Sequence, residues 1–181
     1  MKLFIASDIH GDYDSASSLV DAYRSSGADK LILLGDILYH GPRNDLPTTY
    51  APKKVIELLN PLKNELLCVR GNCDTEVDQM VLDFPILADY ALIELDGISI
   101  FATHGHKFSK DTPPPLKNGD ILLCGHTHIP AAEKFGVDNL YLNPGSVSIP
   151  KANSERSYIV YENREFLFYT LSGAVYDSYI L

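Results

Sequence analysis

The chain has 181 residues, 45% of them hydrophobic and 22% charged, with a formal net charge of −9. A globular chain of this length buries about 70% of its unfolded surface, enough for a real core. So acidic a balance excludes a general affinity for nucleic acid, which depends on lysine and arginine displacing counterions. No stretch approaches the ~18 apolar residues of a membrane-spanning helix, and the start, Met1 to Ala6, lacks the apolar core of a secretory leader. Cys68, Cys73 and Cys124 are odd in number and have no Cys-x-x-Cys spacing, which implies neither a disulfide framework nor a structural zinc site. A reducing, cytoplasmic setting is expected.

In chain order, Lys2–Ala6 is a short apolar run that leads into Ser7-Asp8-Ile9-His10-Gly11. Tyr13–Ser26 follows, with Ala16, Leu19, Val20 and Tyr23 at helical spacing and Gly27 as its stop. Leu31–Leu34 runs into Gly35-Asp36, and a proline-rich loop, Gly41–Pro52, separates it from a second helical stretch, Pro52–Lys63. Leu66–Val69 precedes Arg70-Gly71-Asn72-Cys73-Asp74. Ile98–Ala102 precedes Thr103-His104-Gly105-His106, and a second proline-rich loop spans Lys110–Gly119. Ile121–Cys124 precedes Gly125-His126-Thr127-His128. The end of the chain is β-rich over Leu140–Asn143, Ser146–Ile149, Ser157–Tyr161 and Glu165–Leu171, with turn residues between.

Short apolar runs bounded by turn signals predict buried strands, and their alternation with helices predicts a parallel or mixed sheet. The later strands are expected to form a second, antiparallel sheet packed on the first, within a single domain spanning residues 1–181. In open sheets ligands gather beyond the carboxyl ends of the strands. Every polar cluster follows its strand, so the clusters are predicted to converge.

Of the six histidines, all but His40 lie in those clusters. Imidazoles, carboxylates and one amide oxygen suit borderline divalent ions: manganese, iron, zinc or cobalt. The Asp-x-His and His-x-His spacings put alternate side chains on one side of an extended loop. A carboxylate can bridge ions ~3.5–4 Å apart, and Asp36, alone in its loop, is the natural bridge. Two divalent ions carry roughly four positive charges, of which Asp8 and Asp36 remove two, leaving a cationic site suited to an anionic substrate such as a phosphate ester.

Asp8-x-His10, Gly35-Asp36-x4-Gly41, Gly71-Asn72-x-Asp74, Thr103-His104-Gly105-His106 and Gly125-His126-x-His128 resemble, in order, the motifs of the calcineurin-like metallophosphoesterases. Asn143-Pro144-Gly145-Ser146 resembles a string in the small phosphodiesterases of that family. The resemblance implies a four-layer α/β/β/α sandwich with two mixed sheets. It implies one metal on Asp8, His10, Asp36 and His128, and a second on Asp36, Asn72, His104 and His126, most readily manganese. A hydroxide between the ions would attack the phosphorus of a small phosphodiester, with Asn72, Cys73, Asp74 and His104 as catalytic positions.

The chain departs from the family at Cys73, where most members have a histidine able to protonate the leaving oxygen. A thiol with a reference pKa near ~8.5 gives no cationic stabilisation, so esters with good leaving groups should be cleaved most easily. His40, Arg43 and His106 are the candidate substrate contacts, Arg43 because a guanidinium can clamp a phosphate oxygen. A phosphomonoesterase with the same chemistry and a non-catalytic protein-binding scaffold of the same fold are the rival readings. The proline-rich loops and the tyrosine-rich tail, Tyr158 to Tyr179, offer surface for a dimer or tetramer.

Overall fold

The computed structural model describes residues 1–181. Alternation within the apolar runs sorts their side chains onto opposite faces. In β1 (Leu3–Ala6), Leu3 and Ile5 point to one core and Phe4 and Ala6 to another. β2 (Lys30–Leu33) does the same with Ile32 against Leu31 and Leu33. Strands buried on both faces need cover on both sides. On one side that cover is α1 (Tyr13–Ser26) and α2 (Pro52–Leu59), and on the other it is a second sheet.

The remaining elements are β3 (Leu66–Cys68), a single turn α3 (Glu76–Gln79), β4 (Tyr90–Leu95), β5 (Ile98–Thr103), β6 (Ile121–Leu123), β7 (Pro130–Phe135), β8 (Asn139–Pro144), β9 (Ser157–Glu162), β10 (Glu165–Thr170) and β11 (Val175–Ile180). The first sheet has the order β11-β10-β9-β1-β2-β3 and the second β4-β5-β6-β8-β7. Both are mixed: β1, β2 and β3 run parallel, with antiparallel strands on the β1 side only, and β5, β6 and β8 run parallel with an antiparallel strand on each side. Ile5, Ile32, Ile159, Ile121, Leu123 and Leu142 are among the side chains that meet between the sheets.

Two mixed sheets with helices outside were expected, but their membership differs from expectation. The apolar runs that precede the polar clusters are divided, β1, β2 and β3 in one sheet and β5 and β6 in the other. The late strands do not form a sheet of their own; β8 joins β6, while β9 to β11 extend the first sheet beside β1. Ser146–Ile149 is not a strand, because the N–H groups of Ser148 and Ile149 turn back to Ser146 Oγ at 3.2 and 2.9 Å instead of joining a ladder. Pro61 ends the second helix early: α2 stops at Leu59 and a 3₁₀ turn covers Asn60–Leu62. On the outer face of the second sheet the cover is a loop carrying Phe108 and Leu116, packed on Phe101, Leu122 and Tyr141. No helix is long and apolar enough to cross a membrane.

Candidate metal centre

The carboxyl ends of β1, β2, β3, β5 and β6 meet at one rim, and the polar clusters converge there. Asp8 Oδ1 lies 3.5 Å from His10 Nε2 and 3.2 Å from His128 Nε2. His104 Nε2 lies 3.1 Å from Asn72 Oδ1 and 3.2 Å from His126 Nδ1. Between the two groups stands Asp36, with Oδ2 3.7 Å from His10 Nε2 and 3.4 Å from His104 Nε2.

Hydrogen bonding around these side chains fixes which atoms face inward. The Nδ1–H groups of His10, His104 and His128 donate to the carbonyls of Tyr39, Leu34 and Ile149 at 2.8, 2.6 and 2.6 Å. Each neutral ring therefore presents an Nε2 lone pair to the centre. Asp8 Oδ2 accepts from Ser7 Oγ at 2.6 Å and from the His126 N–H at 3.0 Å, whereas Asp8 Oδ1 is buried without a partner. Asp36 Oδ1 accepts from the Cys73 N–H at 2.7 Å, which leaves Oδ2 free.

Two imidazole acceptors 3.2 Å apart at His10 and His128, beside an orphaned carboxylate oxygen, repel one another unless a cation or protons lie between them. The donor set thus fits divalent ions, and both groups could hold one.

Ionisation in the absence of metal follows the same logic. Burial opposes the charge on Asp8, but His10, His128 and His104 hold its carboxyl well below the usual range. Asp36 is also lowered, burial being outweighed by His104. His10 is raised against its burial by Asp8, and His104 is pushed up to about 9 against its burial by Asp36 and Asp8. Burial and the charge on His104 depress His126 to about 4. Burial, with Asp36 and Asp74 nearby, pushes the Cys73 thiol up.

The backbone is bent to make this possible. Asp8, His10, Asp36, His126 and His128 all have positive φ, between 51° and 66°. Such conformations are uncommon outside glycine and persist only where the surroundings enforce them. Asp74 supplies part of that enforcement. It accepts from the N–H groups of Asp36, Ile37 and Gly71 at 2.8, 2.9 and 2.7 Å, which ties the β2 and β3 loops together. Gly71 is required where these loops touch, because a Cβ there would collide with Asp36.

The remaining predicted residues divide. Cys73 is buried on the wall of the centre, its Sγ 3.2 Å from Asn72 Nδ2. Asp74 is buried with its oxygens occupied by backbone amides, which makes it a positioning residue rather than a group facing the reaction. Arg43 lines the cleft together with Asp36, Asn72, His126 and His128. His40 does not; its ring lies edge-on between Tyr39 and Tyr50, with centroids at 4.8 and 5.4 Å. His106 sits 5.4 Å from the His104 ring and 6.2 Å from His126, beside the ligands rather than among them.

Sequence reasoning missed the supports. Ser7 fixes Asp8 Oδ2, Ser146 and Ser148 fix the Asp8 carbonyl, and Asn143 Nδ2 holds the Gly125 carbonyl at 2.7 Å and Thr127 Oγ1 at 3.0 Å. The Asn143-Pro144-Gly145-Ser146 string was the available signal. Lys151 and Asn44 also line the cleft, and nothing in their spacing marked them.

Comparison with known proteins gives a consistent picture. Residues 1–165 match the calcineurin-like phosphoesterase superfamily domain. The chain is 48% identical over 163 residues to phosphodiesterase YfcE of Escherichia coli K12, an alignment covering 90% of this chain and 88% of that one. The solved structure of E. coli YfcE, described as a phosphoesterase, superposes with a TM-score of 0.95 at 44% identity, covering 99% and 98% of the two chains. Vps29 of Entamoeba histolytica, solved with Zn²⁺, shares the fold alone, with a TM-score of 0.63 at 22% identity over 99% of this chain and 98% of that one.

Proposed function

Because the chain belongs to the calcineurin-like phosphoesterase superfamily, we propose that it is a metal-dependent phosphodiesterase acting on a small phosphodiester. The observation that carries this is Asp36 Oδ2, which stands between two complete donor groups. Asp8, His10 and His128 would hold one divalent ion and Asn72, His104 and His126 the other, with Asp36 shared and manganese as the metal. When bound, such a pair acidifies water at neutral pH and offsets the charge that develops on phosphate oxygens.

The chain's own residues do the rest. Tyr39, Leu34 and Ile149 fix the imidazoles through their carbonyls, so the inward nitrogens are oriented before any ligand arrives. Asn72 is exposed and His126 half-buried, which opens that side of the centre to substrate. Cys73 occupies the place where a histidine acid is expected, and its raised pKa makes it a poor proton donor to a leaving oxygen. The leaving group must therefore depart as a stable anion. Beside Cys73 lies a groove of about 400 Å³ lined by Leu38, Tyr39, Tyr50, Ile56, Val77 and Val81, an apolar bed for one ester arm.

A diester reading is favoured over a monoesterase by the likeness to the E. coli phosphodiesterase. It is favoured over a scaffold because every ligand position keeps a competent side chain. The test is turnover of bis(p-nitrophenyl) phosphate and of p-nitrophenyl phosphate by metal-stripped protein reloaded with manganese. The diester should be preferred by at least ~10-fold in kcat/KM, a transition-state difference of about 1.4 kcal/mol. Preference for the monoester, or no turnover of either, sinks the reading.

A further inference from the structure

We propose that Arg43 and Lys151 form a cationic rim that binds a second anionic group of the substrate, carried on an ester arm and not on the scissile phosphate; this rests on the phosphodiesterase reading above. Both residues line the cleft that also contains Asp36, Asn72, His126 and His128. In a chain of net charge −9, seven of the fifteen lysines and arginines pair with a carboxylate. Lys107, Lys110 and Lys134 face carboxylates at 2.7, 2.7 and 2.6 Å, and Arg70 faces Glu76 at 3.3 Å. Arg43 and Lys151 enter no ion pair, although Asp45 and Glu155 lie on their own loops.

The backbone presents both cations deliberately. Lys151 N–H donates to the carbonyl of His128 at 3.1 Å, so this lysine is hung directly on a candidate ligand. The next two residues, Ala152 and Asn153, have φ of 55° and 59°, a pair of left-handed conformations that costs energy outside glycine. Ser154 closes this turn, its N–H reaching the Lys151 carbonyl at 3.0 Å and its Oγ the same oxygen at 2.7 Å. Arg43 is the third residue of a turn whose ends, Gly41 and Asn44, are joined by an N–H···O bond of 3.4 Å, with Pro42 at the second position. Asn44 Nδ2 adds a bond of 2.8 Å to the His40 carbonyl.

Charge counting assigns the rim a separate task. Asp8 and Asp36 offset about two of the roughly four charges of a divalent pair, and a monoanionic diester with its nucleophile accounts for about two more. Arg43 and Lys151 are then in surplus. A guanidinium fork and an ammonium on the rim of one cleft suit a carboxylate or phosphoryl group, the guanidinium binding it bidentately. The substrate class is thus a phosphodiester with one anionic arm.

Matched substrates test this. p-Nitrophenyl carboxymethyl phosphate and p-nitrophenyl carbamoylmethyl phosphate are near-isosteric and differ in the charge of the retained arm. Ethyl 3-carboxy-4-nitrophenyl phosphate and ethyl p-nitrophenyl phosphate place the charge on the departing arm instead. In the manganese-loaded enzyme the anionic member of one pair should have a KM about 10-fold lower at similar kcat, and p-nitrophenylphosphorylcholine, with a cationic arm, should bind worst. Lys151→Met and Arg43→Met should each bring that KM ratio towards one, while Lys151→Arg keeps it. Because the ratio is taken within each variant, any change in metal loading cancels. Absence of charge preference in both pairs, or a preference that survives Lys151→Met, overturns the rim while leaving the phosphodiesterase reading intact. Failure to hydrolyse any of these diesters overturns that reading itself.

Discussion

The two donor groups on either side of Asp36 are held very differently. Asp8, His10 and His128 are 0 to 2% exposed, and both imidazoles are pinned by carbonyls from separate loops. Of the other group only His104 is buried and pinned; Asn72 is exposed and His126 half-buried, its Nδ1 already turned inward. The first group is continuous with the core, since Ser7, Ser146 and Ser148 all serve Asp8. The second forms the opening. A centre built this way has one half as framework and one half as working face, with Asp36 joining them.

Removing the joint should have the largest effect. Asp36→Asn would weaken both halves together, and kcat/KM should fall by more than the ~100-fold typical of losing a ligand's outer partner. Metal analysis should show both ions reduced. Retention of one full equivalent with only a modest loss of rate would show that Asp36 belongs to one half alone.

The next effect probes the working face. Cys73→His restores a group able to donate a proton, and general acid catalysis contributes ~10²–10⁴-fold where the leaving group needs it. An alkyl phosphodiester should gain by about 100-fold in kcat and an aryl diester by much less. Equal gains for both classes would mean that Cys73 does not stand on the leaving-group side.

Legibility in the sequence follows the same division. The convergence of the candidate ligands was visible because every polar cluster directly follows an apolar run, and those runs end at one rim. The unbroken apolar run Leu3–Ala6 likewise signalled a buried strand. Sheet membership was not visible: Leu31–Leu34 and Ile121–Cys124 are equally apolar, and only long-range pairing sends one beside β1 and the other beside β8. β4, β7 and β11 escaped notice because they carry exposed side chains on one or both faces at sheet edges. The supporting serines and Asn143 are ordinary polar residues until folding places them against Asp8 and Gly125. His40 looked like a site residue by proximity in sequence, and an aromatic sandwich claims it instead.

Stability separates the halves at a smaller scale. Asp8→Ala strands the Ser7 hydroxyl and the His126 N–H in a buried place, a cost of about 1–3 kcal/mol, so melting of the metal-free protein should fall by several degrees. Asn72→Ala removes an exposed side chain and should shift stability by no more than ~0.5 kcal/mol while still abolishing most activity. Equal destabilisation by the two variants would erase the distinction between framework and working face.

Proton linkage gives the subtlest separation, within the metal-free protein. His104 has its pKa raised to about 9, so the stability it contributes is complete below the unfolded value near 6.5 and is lost as pH rises towards 9. His126 is depressed to about 4, so its contribution is complete above 6.5 and is lost as pH falls towards 4. The lowered carboxyl of Asp8 withdraws its share only in stronger acid. These opposing slopes place the stability maximum of chelator-treated protein near pH 6.5. Metal should flatten the alkaline limb, because an ion then takes the place of the proton between His104 and Asp36. Thermal melts from pH 4 to 9 with and without manganese would show it, and a metal-free profile that keeps rising to pH 9 would mean that His104 holds no proton in the folded state.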